Sequence, residues 1–112
     1  EWVLESQKAR AVFSTRDGGR WSEFTWKDGG VNFLPETGLF AASGDVDAHG
    51  DSGALVITGN GWKRTVTLAE GEVTIEQTTP LPPDRLAPQK RGNVALTIER
   101  PAPGKLVCRL GQ

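Results

Sequence analysis

Residues 62–76 read WKRTVTLAEGEVTIE and decide the fold class. Val66 and Leu68 alternate with polar residues in the first part, and Val73 and Ile75 do so in the second. A period of two residues is typical of a β-strand with one buried and one solvated face. The Gly71 turn between the two parts predicts a hairpin, because glycine supports the backbone angles of tight turns.

Segments of the same kind recur along the chain, at residues 9–15, 20–27, 54–58, 94–99 and 106–110. Asp-Gly, Gly-Gly or Asn-Gly pairs follow several of them, at the spacing of 8–12 residues that is typical of a sandwich or barrel. No window shows a convincing helical period. The sequence therefore predicts an all-β fold, an antiparallel β-sandwich of about eight or nine short strands joined by Gly-rich hairpins.

Length and composition restrict the possible classes of protein. The 112 residues allow one domain, 1–112, and include one Cys and one His, too few for a disulfide within the chain or for a Cys/His zinc site. No apolar run is long enough for a membrane-spanning helix. The net charge of −1 argues against a nucleic-acid partner. Cys108 alternates with Leu106 and Leu110, which predicts a small core residue, and a disulfide to another chain is the alternative.

Charge and proline are unevenly distributed. Residues 1–82 contain 12 acidic and 7 basic side chains, whereas residues 83–112 contain 2 acidic and 6 basic ones. A Pro-rich segment at 79–90 interrupts the strand pattern, since proline removes hydrogen-bond donors and favours extended chain. We expect either a crossover that carries the last strands to the other sheet or an arm that reaches a partner.

An acidic segment, residues 43–51, offers the one candidate metal site. Asp45, Asp47 and Asp51 are possible ligands of a calcium loop, and no other cofactor is expected. Such a loop has oxygen ligands at positions one, three and five and a carboxylate at position twelve. Here His49 and Val56 stand at positions five and twelve, so a solvated turn is the alternative. His49 is also the one candidate for a histidine general base.

The four tryptophans suggest a binding function. By alternation, Trp21 shares a face with Glu23 and is expected to be exposed, and Trp62 stands at a strand start beside a turn. An exposed indole beside polar side chains suits the C–H face and the hydroxyls of a sugar ring. The alternatives are that each tryptophan closes an end of the sandwich or marks a protein interface. The expected ligand-binding residues are Trp21, Glu23, Trp62, Arg64 and His49.

Residues 10–40 contain a Gly-Gly-Arg turn at 18–20, an apolar strand after it, and Val31-Asn32-Phe33-Leu34. In these features the chain resembles the opening of galactose-mutarotase-like β-supersandwich domains, and the strand from Trp62 is similar to their later strands. The resemblance covers about half of the chain and implies carbohydrate handling. A full supersandwich is more than twice as long, and its catalytic His and carboxylate pair have no matching positions here, so no catalytic residue is carried over.

Three functions follow from these observations. The first is a non-catalytic extracellular module that binds carbohydrate through exposed Trp and polar loop residues. The second is a structural subunit of an extracellular assembly or fibre, a homo-oligomer or larger, which associates through strand edges and the Pro-rich, basic C-terminal segment. The third is a fragment of a carbohydrate-active enzyme that uses His49.

The chain begins Glu1-Trp2-Val3 without an initiator Met. This start is expected of a mature secreted form, a proteolytic product or an artificially shortened chain. The predicted location is secreted or at the cell surface.

Overall fold

Eleven β-strands and no helix form the structure, a computed structural model that describes residues 1–112. The four-stranded sheet has the order β1 (Trp2–Glu5), β2 (Ala9–Phe13), β3 (Trp21–Trp26), β4 (Val31–Asn32). The seven-stranded sheet has the order β5 (Asp47–Gly50), β6 (Ala54–Gly59), β7 (Trp62–Ala69), β8 (Glu72–Gln77), β11 (Lys105–Gly111), β10 (Val94–Ala102), β9 (Gln89–Arg91). All neighbouring strands are antiparallel, so the predicted all-β sandwich is confirmed. The structure contains no helix that is long and apolar enough to span a membrane.

Eleven strands are present where eight or nine were expected, and the difference lies in three edge strands that the sequence pattern did not reveal, β1, β5 and β9. β1 and β4 border the smaller sheet, and β5 and β9 border the larger one. These four strands have two to four residues each. An edge strand has a partner on one side only, so its sequence carries little of the apolar alternation that identifies a central strand.

The core lies between the two sheets and follows the alternation of the central strands. In β7, Val66 and Leu68 are buried while Thr65 and Thr67 are exposed. The inward residues of both sheets, together with residues of the connecting segments, form one cluster of 23 buried residues. Cys108 belongs to this cluster, as its alternation predicts, and its burial raises the pKa of the thiol to about 12.

Trp21 is fully buried, so the prediction that it is exposed was wrong. The cause is a β-bulge, since Phe13 pairs with Trp21 while Val12 pairs with Glu23, which leaves Ser22 as the extra residue. A bulge shifts the inward and outward positions on one side of it by one residue. Trp21 therefore faces the core and packs against the rings of Phe13 and Phe24, at centroid distances of 5.7 and 5.2 Å.

The Pro-rich segment connects β8 to β9 across β11 and β10. It is a crossover that stays within the seven-stranded sheet, instead of passing to the other sheet as expected. Leu86 of this segment is buried in the core, and the Leu81 N–H donates a hydrogen bond to the Pro103 carbonyl. An ion pair between Asp84 and Arg100 attaches it to β10. The segment is thus held to the sheet at Leu81, Asp84 and Leu86.

Candidate functional site

Trp62 and Arg64 occupy the first two inward positions of β7, next to the turn that joins β6 to β7. Val66 and Leu68 continue the same row into the core. Trp62 is half-buried, whereas Arg64 is 3% exposed and is the one charged side chain among the buried residues. The strand period alone explains why a charged residue points inward here, since every second residue of β7 does so.

The Trp62 indole lies across Gly59, its cross-strand partner on β6. A Cβ atom at residue 59 would stand 2.2 Å from Trp62 Cε2, which is closer than atoms of real side chains approach. Only glycine leaves the space for the indole in this position. The far edge of the ring reaches the turn between β2 and β3, where a Cβ at Gly19 would be 3.7 Å from Trp62 Cη2. The indole is therefore held between two turns.

The Arg64 guanidinium contacts two aromatic rings and one amide. Its Cζ lies 4.5 Å from the centroid of the Trp62 ring and 5.1 Å from that of the Phe40 ring, in cation–π contact with both. Nε donates a hydrogen bond of 3.0 Å to Oε1 of Gln77, the cross-strand partner of Arg64 on β8. Nη1 is buried and has no hydrogen-bond partner. The guanidinium thus retains an unused donor.

No carboxylate neutralises Arg64. The structure has seven ion-pair contacts, and Arg64 takes part in none of them. Removal from water disfavours the charged form, and burial lowers the pKa of Arg64 to about 10. This pKa still lies well above neutrality, so the side chain is a cation at pH 7.

Gln77 joins Arg64 to the start of the Pro-rich segment. Its Nε2 donates hydrogen bonds to Thr79 Oγ1 at 3.2 Å and to the Pro80 carbonyl at 2.7 Å. Because both of these partners accept, the amide is oriented with Oε1 towards Arg64. One side chain thereby fixes the guanidinium and the adjacent loop together.

Phe40 closes the other side of Arg64 from the loop between β4 and β5. Its backbone has φ of +61°, in the left-handed region that non-glycine residues rarely adopt. The loop also packs closely on Gly18, where a Cβ would be 2.6 Å from the Ala42 Cβ. Strain of this kind persists where the surrounding contacts enforce it, and it is frequent at ligand sites.

Together these elements form a cavity of about 230 Å³, which we call the Arg64 pocket. Its lining residues are Gly18, Phe40, Ala41, Ala42, Gly61, Trp62, Arg64, Gln77, Thr79, Pro80 and Pro82. Arg64 is the one charged side chain in this lining. The pocket is smaller than the roughly 300–1,000 Å³ of sites for drug-sized molecules, so it suits one small molecule or a single unit of a longer one.

A larger cavity, of about 520 Å³, lies between the Pro-rich segment and the β10–β11 hairpin. Its charged lining residues are Asp84, Arg100 and Lys105. Asp84 pairs with Arg100, and Lys105 pairs with Glu76. With its charges already paired, this cavity offers no unused charged group to a ligand. The Arg64 pocket is the better candidate although it is smaller.

The structure unites two of the five predicted ligand-binding residues, Trp62 and Arg64, and separates the others from them. Trp21 is buried in the core. Glu23 lies on the smaller sheet and forms an ion pair with Arg10, at 3.2 Å between Oε2 and Nε. His49 is exposed on edge strand β5. None of these three lines the Arg64 pocket.

The predicted calcium loop does not form. Residues 47–50 are the strand β5, paired with β6, and an extended strand cannot wrap its side chains around one ion. Asp51 Oδ1 accepts hydrogen bonds from the backbone N–H groups of Gly53 and Ala54, and so stabilises its own turn. No group of three or more His, Cys, Asp or Glu side chains is placed to hold a metal ion, and Asp45, Asp47 and Asp51 form no such group.

Four residues of the site were not identified from the sequence, namely Phe40, Gln77, Thr79 and Pro80. Gln77 had one available signal, because pairing β7 with β8 around their short turn places it opposite Arg64. Phe40 and the Pro-rich segment reach the site through long-range packing, which leaves no local pattern.

Comparisons of the chain with protein-family models, curated proteins and solved structures give no match. The resemblance to galactose-mutarotase-like domains therefore stays a prediction.

Proposed function

We propose that this protein is a non-catalytic module that binds carbohydrate in the Arg64 pocket. The observation that carries the proposal is the contact between Trp62 and Arg64, which line one cavity with 4.5 Å between the guanidinium carbon and the ring centroid. Aromatic surface suits the C–H groups of a sugar ring, and fixed donors suit its hydroxyls. The resemblance to saccharide-handling domains supports the same ligand class, and the expected location is secreted or at the cell surface.

The arrangement of the pocket supports binding because its side chains are already ordered. Gly59 holds the Trp62 indole, and Gln77 holds both Arg64 and the loop at Thr79 and Pro80. A ligand therefore meets groups whose conformational freedom is already lost. Preorganisation of this kind lowers the entropic cost of association.

Isothermal titration calorimetry with a panel of neutral and acidic monosaccharides and oligosaccharides tests the proposal. Trp62→Ala is expected to weaken binding at least ~10-fold, through the loss of the aromatic wall. Trp2→Ala is the matched control, because Trp2 is also half-buried but its indole N–H bonds to the Asp51 carbonyl, outside the pocket. The proposal is wrong if no saccharide of the panel binds, or if both substitutions weaken binding equally.

A structural role in an assembly is the second candidate, and the edges of the larger sheet favour it. Edge strand β5 carries exposed Asp47 and is flanked by exposed Asp45 and Asp51. The opposite edge strand, β9, carries exposed Lys90 and Arg91. An acidic edge on one copy is complementary to the basic edge of the next, and such head-to-tail pairing extends a sheet from copy to copy.

Light scattering at low and high salt tests this second function. Assembly through complementary edges gives a large mass that falls as salt screens the charges. Replacing Lys90 and Arg91 together by Glu should abolish it, while replacing the exposed pair Lys8 and Arg16 should not. A monomer that is insensitive to salt at all concentrations contradicts the assembly role.

A further inference from the structure

Arg64 is the one buried charged side chain of this protein, and it has no counter-charge. Four other arginines, at positions 10, 20, 100 and 109, form ion pairs with carboxylates, although all four are more exposed than Arg64. Burying a charge is costly unless a partner of opposite charge or several hydrogen bonds compensate for it. Here one hydrogen bond to Gln77 and two aromatic contacts do so in part.

The free N–H groups of Arg64 restrict the kind of ligand that the pocket can bind. With Nε bonded to Gln77, neither terminal nitrogen of the guanidinium has an acceptor, and Nη2 is the one that is not fully shielded from the pocket. The planar guanidinium matches a carboxylate, which accepts through two oxygens and supplies the missing negative charge. A neutral hydroxyl supplies an acceptor without the charge. The lining contains no acidic side chain that could repel such a ligand.

We propose that the saccharide bound in the Arg64 pocket is an acidic one, a sugar with a carboxylate such as a hexuronic acid, whose carboxylate pairs with the Arg64 guanidinium. This inference rests on the proposed function and specifies its ligand class. The sugar ring packs beside Trp62 and Pro80, and the exposed Thr79 hydroxyl is available to a ring hydroxyl.

The test compares galacturonate and its oligomers with galactose and its oligomers in calorimetric titrations of the wild-type protein. The acidic sugar is expected to bind at least ~10-fold more tightly, since hydrogen bonds between charged partners are the stronger ones. Arg64→Gln should remove this preference, and Arg64→Lys should restore only part of it because lysine lacks the planar fork. Circular dichroism establishes that each variant is folded.

Arg16→Gln serves as the control for the loss of an arginine. Arg16 is exposed, forms no ion pair and lies outside the Arg64 pocket. This substitution should leave the preference for the acidic sugar unchanged.

The outcomes separate the two proposals. Equal binding of galacturonate and galactose overturns the acidic ligand and leaves carbohydrate binding standing. Binding of neither sugar nor its oligomers overturns both. Competition by acetate as effective as that by galacturonate overturns the acidic saccharide, because the pocket then recognises a carboxylate without the ring.

Discussion

Arg64 and Gln77 face each other across strands β7 and β8, and the Nε of Arg64 donates a hydrogen bond of 3.0 Å to the Oε1 of Gln77. The same amide bonds through Nε2 to Thr79 and Pro80. A buried cation and the loop beside it are thus fixed by one uncharged residue. The hydrogen bond orients the guanidinium without neutralising it, so the positive charge remains available to a ligand.

If the role of the Arg64 side chain is to bind a ligand and not to stabilise the fold, replacing it should not destabilise the protein. Arg64→Met removes an unpaired buried charge while keeping a side chain of similar length. We expect the free energy of unfolding in urea to be unchanged or to rise by about 1–2 kcal/mol, because the desolvation cost disappears. Leu68→Ala, in the same inward row, should instead lower it by about 2–5 kcal/mol. A loss above about 2 kcal/mol in Arg64→Met would make Arg64 a structural residue.

Gly59→Ala should displace the Trp62 indole. The added methyl group would stand 2.2 Å from Trp62 Cε2, so the ring must move. We expect a change in the near-ultraviolet circular dichroism, weaker saccharide binding, and a loss of about 1–3 kcal/mol from overpacking. Gly111→Ala is the control, since no atom lies within 4 Å of a Cβ there. Unchanged spectra and affinity in Gly59→Ala would show that the indole does not depend on this glycine.

Trp21→Ala should act on stability rather than directly on binding. The side chain is fully buried between Phe13 and Phe24, and removing it should lower the free energy of unfolding by about 3–5 kcal/mol. Trp21→Phe, which keeps a ring in the core, should fold and retain the wild-type saccharide affinity. A folded Trp21→Phe variant that has lost its saccharide affinity would contradict this prediction and would show that Trp21 contributes to binding.

The buried thiol of Cys108 should make stability depend on pH in the alkaline range. Its pKa in the folded protein is raised to about 12 from an ordinary value of 9.0, mainly by burial. The unfolded chain therefore loses the proton first, and the contribution of Cys108 to stability, complete below pH 9, is lost as the pH rises from 9 to 12.

Unfolding of the wild type and of Cys108→Ala at several pH values isolates this effect. The difference between the two free energies should shrink above pH 9, by at most about 1.4 kcal/mol per pH unit. A difference that stays constant from pH 8 to 11 would mean that the thiol titrates normally. The native protein should also resist thiol reagents at pH 8, because the thiolate is the reactive form.

The fold class could be predicted because the central strands alternate strictly. β7 and β8 show this pattern most clearly, and both lie in the middle of the larger sheet. β5 and β9 could not be recognised, since neither short edge strand contains a β-branched, aromatic or large apolar residue that would mark a strand. The position of Trp21 was mispredicted for a related reason, because the bulge at Ser22 changes the period within one strand.

The candidate site could be predicted in part. Trp62 and Arg64 lie two residues apart on one strand, so the sequence alone places them on the same face. The closing residues come from elsewhere, with Phe40 on a loop after the smaller sheet and Pro80 on the crossover. Their approach depends on how the two sheets pack, and that packing has no local signature in the sequence.

The central claim is that an acidic saccharide pairs with Arg64 beside Trp62, and a titration followed by nuclear magnetic resonance tests it most directly. The four indole N–H groups and the Arg64 Nε–H each report on one place in the wild-type protein. On addition of galacturonate, we predict that the Trp62 and Arg64 signals shift while those of Trp2, Trp21 and Trp26 stay in place, and that galactose gives smaller shifts. Unchanged Trp62 and Arg64 signals, or equal shifts with both sugars, would contradict the claim.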